Sequence, residues 1–196
     1  DLEIRGAGRI LGAEQSGHIH AIGFELYTQL LNQAVAELRV ERGEASRAEM
    51  NLRSDVRVDL PISAYIPQDY ISHLPNRLAV YQRLAALRND TQVDDLREEL
   101  RDRFGPLPEP AENLLYIVTL KTLSEQVSVQ SIMADNGNIV LTLKEPVGGA
   151  RLALDKALGG WARVGNQQVR LNRSQMGDTW PKGLETVLKA LKQFQD

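Results

Sequence analysis

The chain has 196 residues, 42% hydrophobic and 25% charged, with a formal net charge of −3. Those fractions are typical of a folded globular protein, and the acidic balance argues against an autonomous nucleic-acid binder, which neutralises phosphates with clustered Lys and Arg. There is no cysteine, which excludes disulfides and thiolate chemistry and is compatible with a reducing compartment; no apolar run approaches the roughly 18 residues of a membrane span.

In chain order, the opening residues 1–17 set Gly6, Gly8, Gly12 and Gly17 among Glu3, Arg5, Arg9, Glu14 and Gln15. Glycine this dense marks a turn or a close approach to a ligand or another backbone. An arginine beside such a turn suits a carboxylate or a phosphate, although an ion pair of Arg5 with Glu3 or Glu14 explains it as well. The chain begins at Asp1, inside this pattern and without a methionine, and so reads as a piece of something longer. Phe24, Tyr27, Leu30, Leu31, Ala34, Val35 and Leu38 then recur at helical spacing, predicting a helix over residues 22–42. The polar run from Gly43 to Ser54 reads as a linker, giving a division into residues 1–50 and a domain over 51–196.

Residues 56–60 alternate apolar and polar and predict a short strand ending at Pro61. An extended connection and a turn over 67–71 lead into a helix over 76–88, carrying Leu78, Tyr81, Leu84 and Ala85. Thr91 is the expected N-cap of the next helix, whose apolar positions are Val93, Leu96, Leu100 and Phe104 and which stops at Gly105-Pro106. A wide-faced helix follows from about Pro110 to Gln126. The period then changes. Residues 127–133 and 138–143 flank Asn136-Gly137, a strong hairpin signal. A helix over 147–158 stops at Gly159, a second hairpin spans 161–171, and a last helix, capped by Asp178 or Thr179, carries Leu184, Val187, Leu188, Leu191 and Phe194. The fold class is therefore α+β: a helical half, then a ββαββα-like half with a small antiparallel or mixed sheet.

The chemistry-bearing motifs are few. No GxxxxGK[ST], GxSxG or HExxH occurs, so the chain is not expected to hydrolyse ATP or act as an enzyme alone. His18 and His20, two apart, point different ways and lack a third ligand, so no metal site is expected. Gln68, Asp69, Tyr70 and His73 read as surface. The helix over 93–104 stands out: Asp94, Asp95, Glu98, Glu99 and Asp102 give it an acidic face, with Arg97, Arg101 and Arg103 interspersed. One reading is a solvated face with Glu99 and Arg103 paired at i,i+4. The other is a docking face for a basic patch on another domain, which would relieve the like-charge steps Asp94–Glu98 and Glu98–Asp102.

Residues 1–8, with Leu11-Gly12 and the run Glu14–Gly17, resemble the second half of the TRG (translocation) motif shared by RecG branch-migration helicases and the bacterial transcription-repair coupling factors (Mfd). The continuation over 17–27 is similar to the coupling factors rather than to RecG. Residues 81–84 and 98–106 resemble the coupling factors' C-terminal domain, so the resemblance covers essentially the whole chain. It implies a parent protein that is an ATP-driven double-stranded DNA translocase, with ATP and Mg in its motor. Such a protein displaces stalled RNA polymerase and recruits the excision-repair protein UvrA in the bacterial cytoplasm. It implies a regulatory, autoinhibitory role for this part, packing on the N-terminal UvrA-binding region. It assigns Arg5 and Gln15, with Gly6, Gly8, Gly12 and Gly17 and as a further candidate Arg9, to linking nucleotide state with movement on DNA. UvrA, RNA polymerase and DNA are then partners only through the parent. For the chain itself the expectation is no cofactor, no membrane and a monomer. The alternative is that residues 1–42 work as part of the motor and the rest is a structural cap.

Overall fold

The computed structural model describes residues 56–195. The TRG-like stretch, the expected helix over 22–42, His18, His20 and the linker lie outside the described residues. Within them the chain divides into two compact units, residues 62–118 and residues 56–61 with 119–195.

The first unit is helical. Helix α1 (Leu74–Ala86) carries Pro75 in its first turn, where a missing N–H costs nothing. Helix α2 (Asp90–Phe104) starts two residues earlier than its sequence suggests. Its cap is Asn89, in extended backbone, whose Oδ1 accepts from Gln92 N at 2.9 Å. Thr91 is already inside the helix. Gln92 Oε1 in turn accepts from Arg88 N at 2.8 Å, so a reciprocal cap closes the turn. Gly105, at φ 86, ends α2 and donates its N–H to Arg101 O. Val93, Leu96 and Leu100 form the buried stripe of α2. Helix α3 (Glu109–Gln126) follows, and the boundary between the units falls within it.

The irregular strap over residues 62–73 has no ladder to satisfy its backbone, so side chains and loop carbonyls do it. Ile66 N donates to Tyr81 Oη at 2.8 Å, and Asn113 Nδ2 donates to Ser63 O at 2.9 Å. Tyr65 N donates to Pro110 O, and Arg77 Nη1 to Ile71 O at 2.7 Å. Tyr70 corrects the sequence reading. It is half-buried, and its hydroxyl lies within hydrogen-bond reach of Leu100 O (3.1 Å) and Gly105 O (2.9 Å), donating to either at the end of α2. Burial, with a lesser push from the Glu112 carboxylate, raises its pKa above the usual value for tyrosine.

The second unit holds a five-stranded sheet in the order β1-β2-β3-β5-β4. Its strands are β1 (Arg57–Asp59), β2 (Val129–Asp135), β3 (Asn138–Leu143), β4 (Ala162–Val164) and β5 (Gln168–Asn172). β1 joins β2 in parallel, and the other pairings are antiparallel, so the sheet is mixed and the class α+β. The β2–β3 turn has Asn136 at φ 45 and Gly137 at φ 79, the two positive values a type I′ turn demands. Helices α4 (Arg151–Leu158) and α6 (Trp180–Gln195) contact each other, β4 and β5 respectively. Leu154, Leu184, Val187 and Leu188 are buried, as are Ile132, Ile139, Leu141, Val169 and Leu171 from alternate strand positions. The edge strand β4 is partly covered, since Asp155 Oδ1 accepts from Val164 N at 2.8 Å.

Two short elements are additional to the sequence reading. A short helix, α5 (Arg173–Met176), capped by Asn172, and a 3₁₀ turn over Gly177–Thr179 precede α6. There the Thr179 hydroxyl donates back to Met176 O at 2.6 Å.

Candidate functional site

Helix α2 presents six acidic and three basic residues, and the structure separates the acids by what they touch. Glu99 faces α1. Its two oxygens accept from Arg83 Nη1 and Nη2 at 2.6 and 2.7 Å, a bidentate pair, and Arg103 Nη1 reaches the same carboxylate at 3.2 Å. The hydrogen bond from Arg83 is the main reason that the Glu99 carboxyl is lowered to about 2, and Arg103 adds to it. The partner effect raises the pKa of Arg83. Asp94 pairs with Arg97, whose Nε also donates to Glu112 Oε2 at 3.1 Å and so ties α2 to α3. Glu98 is held more loosely, by Arg101 at 3.0 Å, with more than half of its side chain exposed.

Asp95 and Asp102 differ. Both are exposed, and neither has an ion pair among the described residues. They stand seven apart, on one side of the helix, with Glu98 between them. Asp102 also lies in the last turn, where the helix dipole disfavours an anion. Of the five acids proposed from sequence, Glu99 is the one drawn away by another helix, through Arg83. Asp94 and Glu98 each pair with an arginine three residues on and stay mostly exposed, and Glu98 with the unpaired Asp95 and Asp102 forms a stripe facing water. The sequence shows the i,i+4 partner Arg103; it gives no sign of Arg83, which arrives from another helix. At the end of α2, Arg103 lies over the Phe104 ring at 5.0 Å, and Tyr70 meets that ring edge-on at 6.0 Å.

Among the described residues no three His, Cys, Asp or Glu side chains are placed to hold a metal ion, and no helix is long and apolar enough to cross a membrane. Arg5, Gln15, Gly6, Gly8, Gly12, Gly17 and Arg9 lie outside the described residues.

The TRCF domain matches residues 60–148, a span that includes α1, α2, α3 and the first hairpin. The transcription-repair-coupling factor of Haemophilus influenzae is 45% identical over 134 residues, 68% of this chain and 12% of that protein. The one from Bacillus subtilis is 31% identical over 206 residues, 100% of this chain and 17% of that protein. The chain belongs to the transcription-repair-coupling factor family. Its fold agrees with a crystal structure of the C-terminal domain of a transcription-repair coupling factor, at a TM-score of 0.63 and 22% identity, covering 74% of this chain and 96% of that one. The chain thus spans less than a fifth of the length of these coupling-factor relatives. Its α2 stripe lies inside the segment that the TRCF domain matches.

Proposed function

We propose that this chain is the regulatory end of a coupling factor and restrains it by docking the α2 stripe on a basic surface of the N-terminal UvrA-binding region. The carrying observation is that Asp95 and Asp102 face water without counter-ions on a helix whose other acids are mostly matched. A restraint that must open lies within a few kcal/mol of its open state, and a polar, salt-sensitive interface meets that requirement better than a large apolar one. On this reading the chain does no chemistry of its own. The parent would be an ATP-dependent DNA translocase of the bacterial cytoplasm that displaces stalled RNA polymerase and recruits UvrA.

The test is a titration of the chain against the separate N-terminal region at two salt concentrations, with UvrA as competitor. Reversing the stripe (Asp95→Lys, Glu98→Lys, Asp102→Lys) while keeping Glu99, which holds α1, is expected to abolish binding that the wild type shows at low salt. Unchanged affinity of the reversed protein would overturn the docking face. If the separate pieces do not bind, the same comparison is made in one linked protein, where tethering raises the effective concentration.

The TRG-like stretch carries the second reading, in which residues 1–42 belong to the motor. Arg5→Ala and Gln15→Ala in the intact coupling factor are expected to uncouple ATP hydrolysis from movement on DNA. Full translocation by both variants would remove that assignment.

A further inference from the structure

The tip of the first hairpin joins an exposed asparagine to a glycine, and this juxtaposition has chemistry of its own. Asn136 is the one asparagine in the sequence followed by glycine. Both residues are exposed, and no carbonyl of the described residues accepts from the Gly137 N–H. The space beside the Gly137 Cα is open, since a Cβ there would meet only Ser174 Oγ, at 3.9 Å. We propose that Asn136 is a site of spontaneous deamidation and that its conversion weakens the sheet-bearing unit.

The step balances with water alone. The Gly137 nitrogen loses its proton and attacks Asn136 Cγ. A new bond between that nitrogen and Cγ closes a five-membered succinimide, and the bond from Cγ to Nδ2 breaks to release ammonia. One water then opens the ring at either carbonyl, leaving aspartate or isoaspartate. Glycine matters because a side chain on the attacking residue would hinder the approach.

The turn sets the pace. In the I′ geometry Asn136 is held at φ 45, and its Nδ2 donates to Asp135 Oδ1 at 2.9 Å. Ring closure requires the Asn136 backbone to rotate, so the tip must open first. Exposed loop tips are where local opening costs least.

The products explain the damage. Either one replaces the Nδ2 donor with a carboxylate beside Asp135, whose other oxygen meets Arg170 at 3.5 Å. Isoaspartate also inserts an extra backbone carbon into a two-residue turn. That turn fixes the register that turns Ile139 and Leu141 inward.

The experiment ages the purified 196-residue protein in warm, mildly alkaline buffer. Peptide mapping by mass spectrometry and an isoaspartate methyl-acceptor assay follow the products, and thermal unfolding follows stability. Asn166 is the internal control, an exposed hairpin-turn asparagine followed by Gln167. Asn136 is expected to convert several-fold faster than Asn166, to both acids, with a fall in Tm. Asn136→Gly keeps a pair that I′ turns accept and has no amide to lose at this position. Although it leaves Asp135 beside a glycine, which isomerises more slowly, it is expected to age with several-fold less isoaspartate at the tip and a correspondingly smaller loss of Tm. Equal or slower conversion at Asn136 would overturn the site. Conversion with an unchanged Tm, or the same Tm loss in Asn136→Gly, would overturn the proposed weakening.

Discussion

In the helical unit, single side chains serve backbone that no ladder satisfies: Tyr81 holds Ile66 and Arg77 holds Ile71 in the irregular strap, while Tyr70 reaches from the strap to the end of α2. In the sheet unit the strands satisfy one another, and the side chains need chiefly to be apolar on alternate positions. The difference shows which kind of contact leaves a trace in a sequence. Ladder bonds come with a period of two, whereas a tyrosine hydroxyl that serves a distant carbonyl has no period.

The largest expected effect tests the sheet side of this contrast. Leu141 is fully buried on the central strand β3, and Leu141→Ala should cost about 2–5 kcal/mol through lost burial and the cavity left behind. Denaturant unfolding followed by circular dichroism measures it. A loss below about 1 kcal/mol would mean that the sheet does not rest on its apolar face.

Tyr81→Phe probes the helical side. The ring stays and the acceptor goes, leaving the buried Ile66 N–H without Tyr81 Oη. The expected cost is about 1–3 kcal/mol for a stranded donor, with hydrogen exchange at Ile66 rising before that of the sheet amides. Uniform exchange across both units would break the comparison, since one anchor would then serve the whole molecule.

The smallest effect is electrostatic. Glu99 titrates at about 2 when folded against an ordinary 4.5, so its contribution is fully present above 4.5 and is lost as pH falls towards 2. The pair is partly exposed, which limits it to under about 1 kcal/mol. The stability difference between wild type and Glu99→Gln is therefore expected above pH 4.5 and should vanish near pH 2. A difference independent of pH would show that Glu99 acts through packing rather than charge.

Much of the architecture is legible along the chain because its signals are local. Asn136-Gly137 announces the first hairpin, Gly105 and Gly159 stop two helices, and the apolar spacing of α6 needs no tertiary information. The cap of α2 is less legible. Asn89 and Thr91 are both good capping residues, and what distinguishes them is the extended backbone that the preceding loop gives Asn89. The candidate face was half readable: composition supplied the acids and the helical period placed them. It did not show that Arg83 would engage Glu99 and leave Asp95 and Asp102 facing water.

By itself, then, the sequence determined the kinds of element, most of their ends, the α+β class and the family. Only the tertiary structure decided that the strand around Val58 runs parallel to β2 at the sheet edge, that β5 lies between β3 and β4, and which acids of α2 are matched. The reason is range. Periodicity, capping and turn chemistry act over a few residues, whereas strand neighbours and inter-helix ion pairs depend on which distant segments meet when the apolar faces are buried.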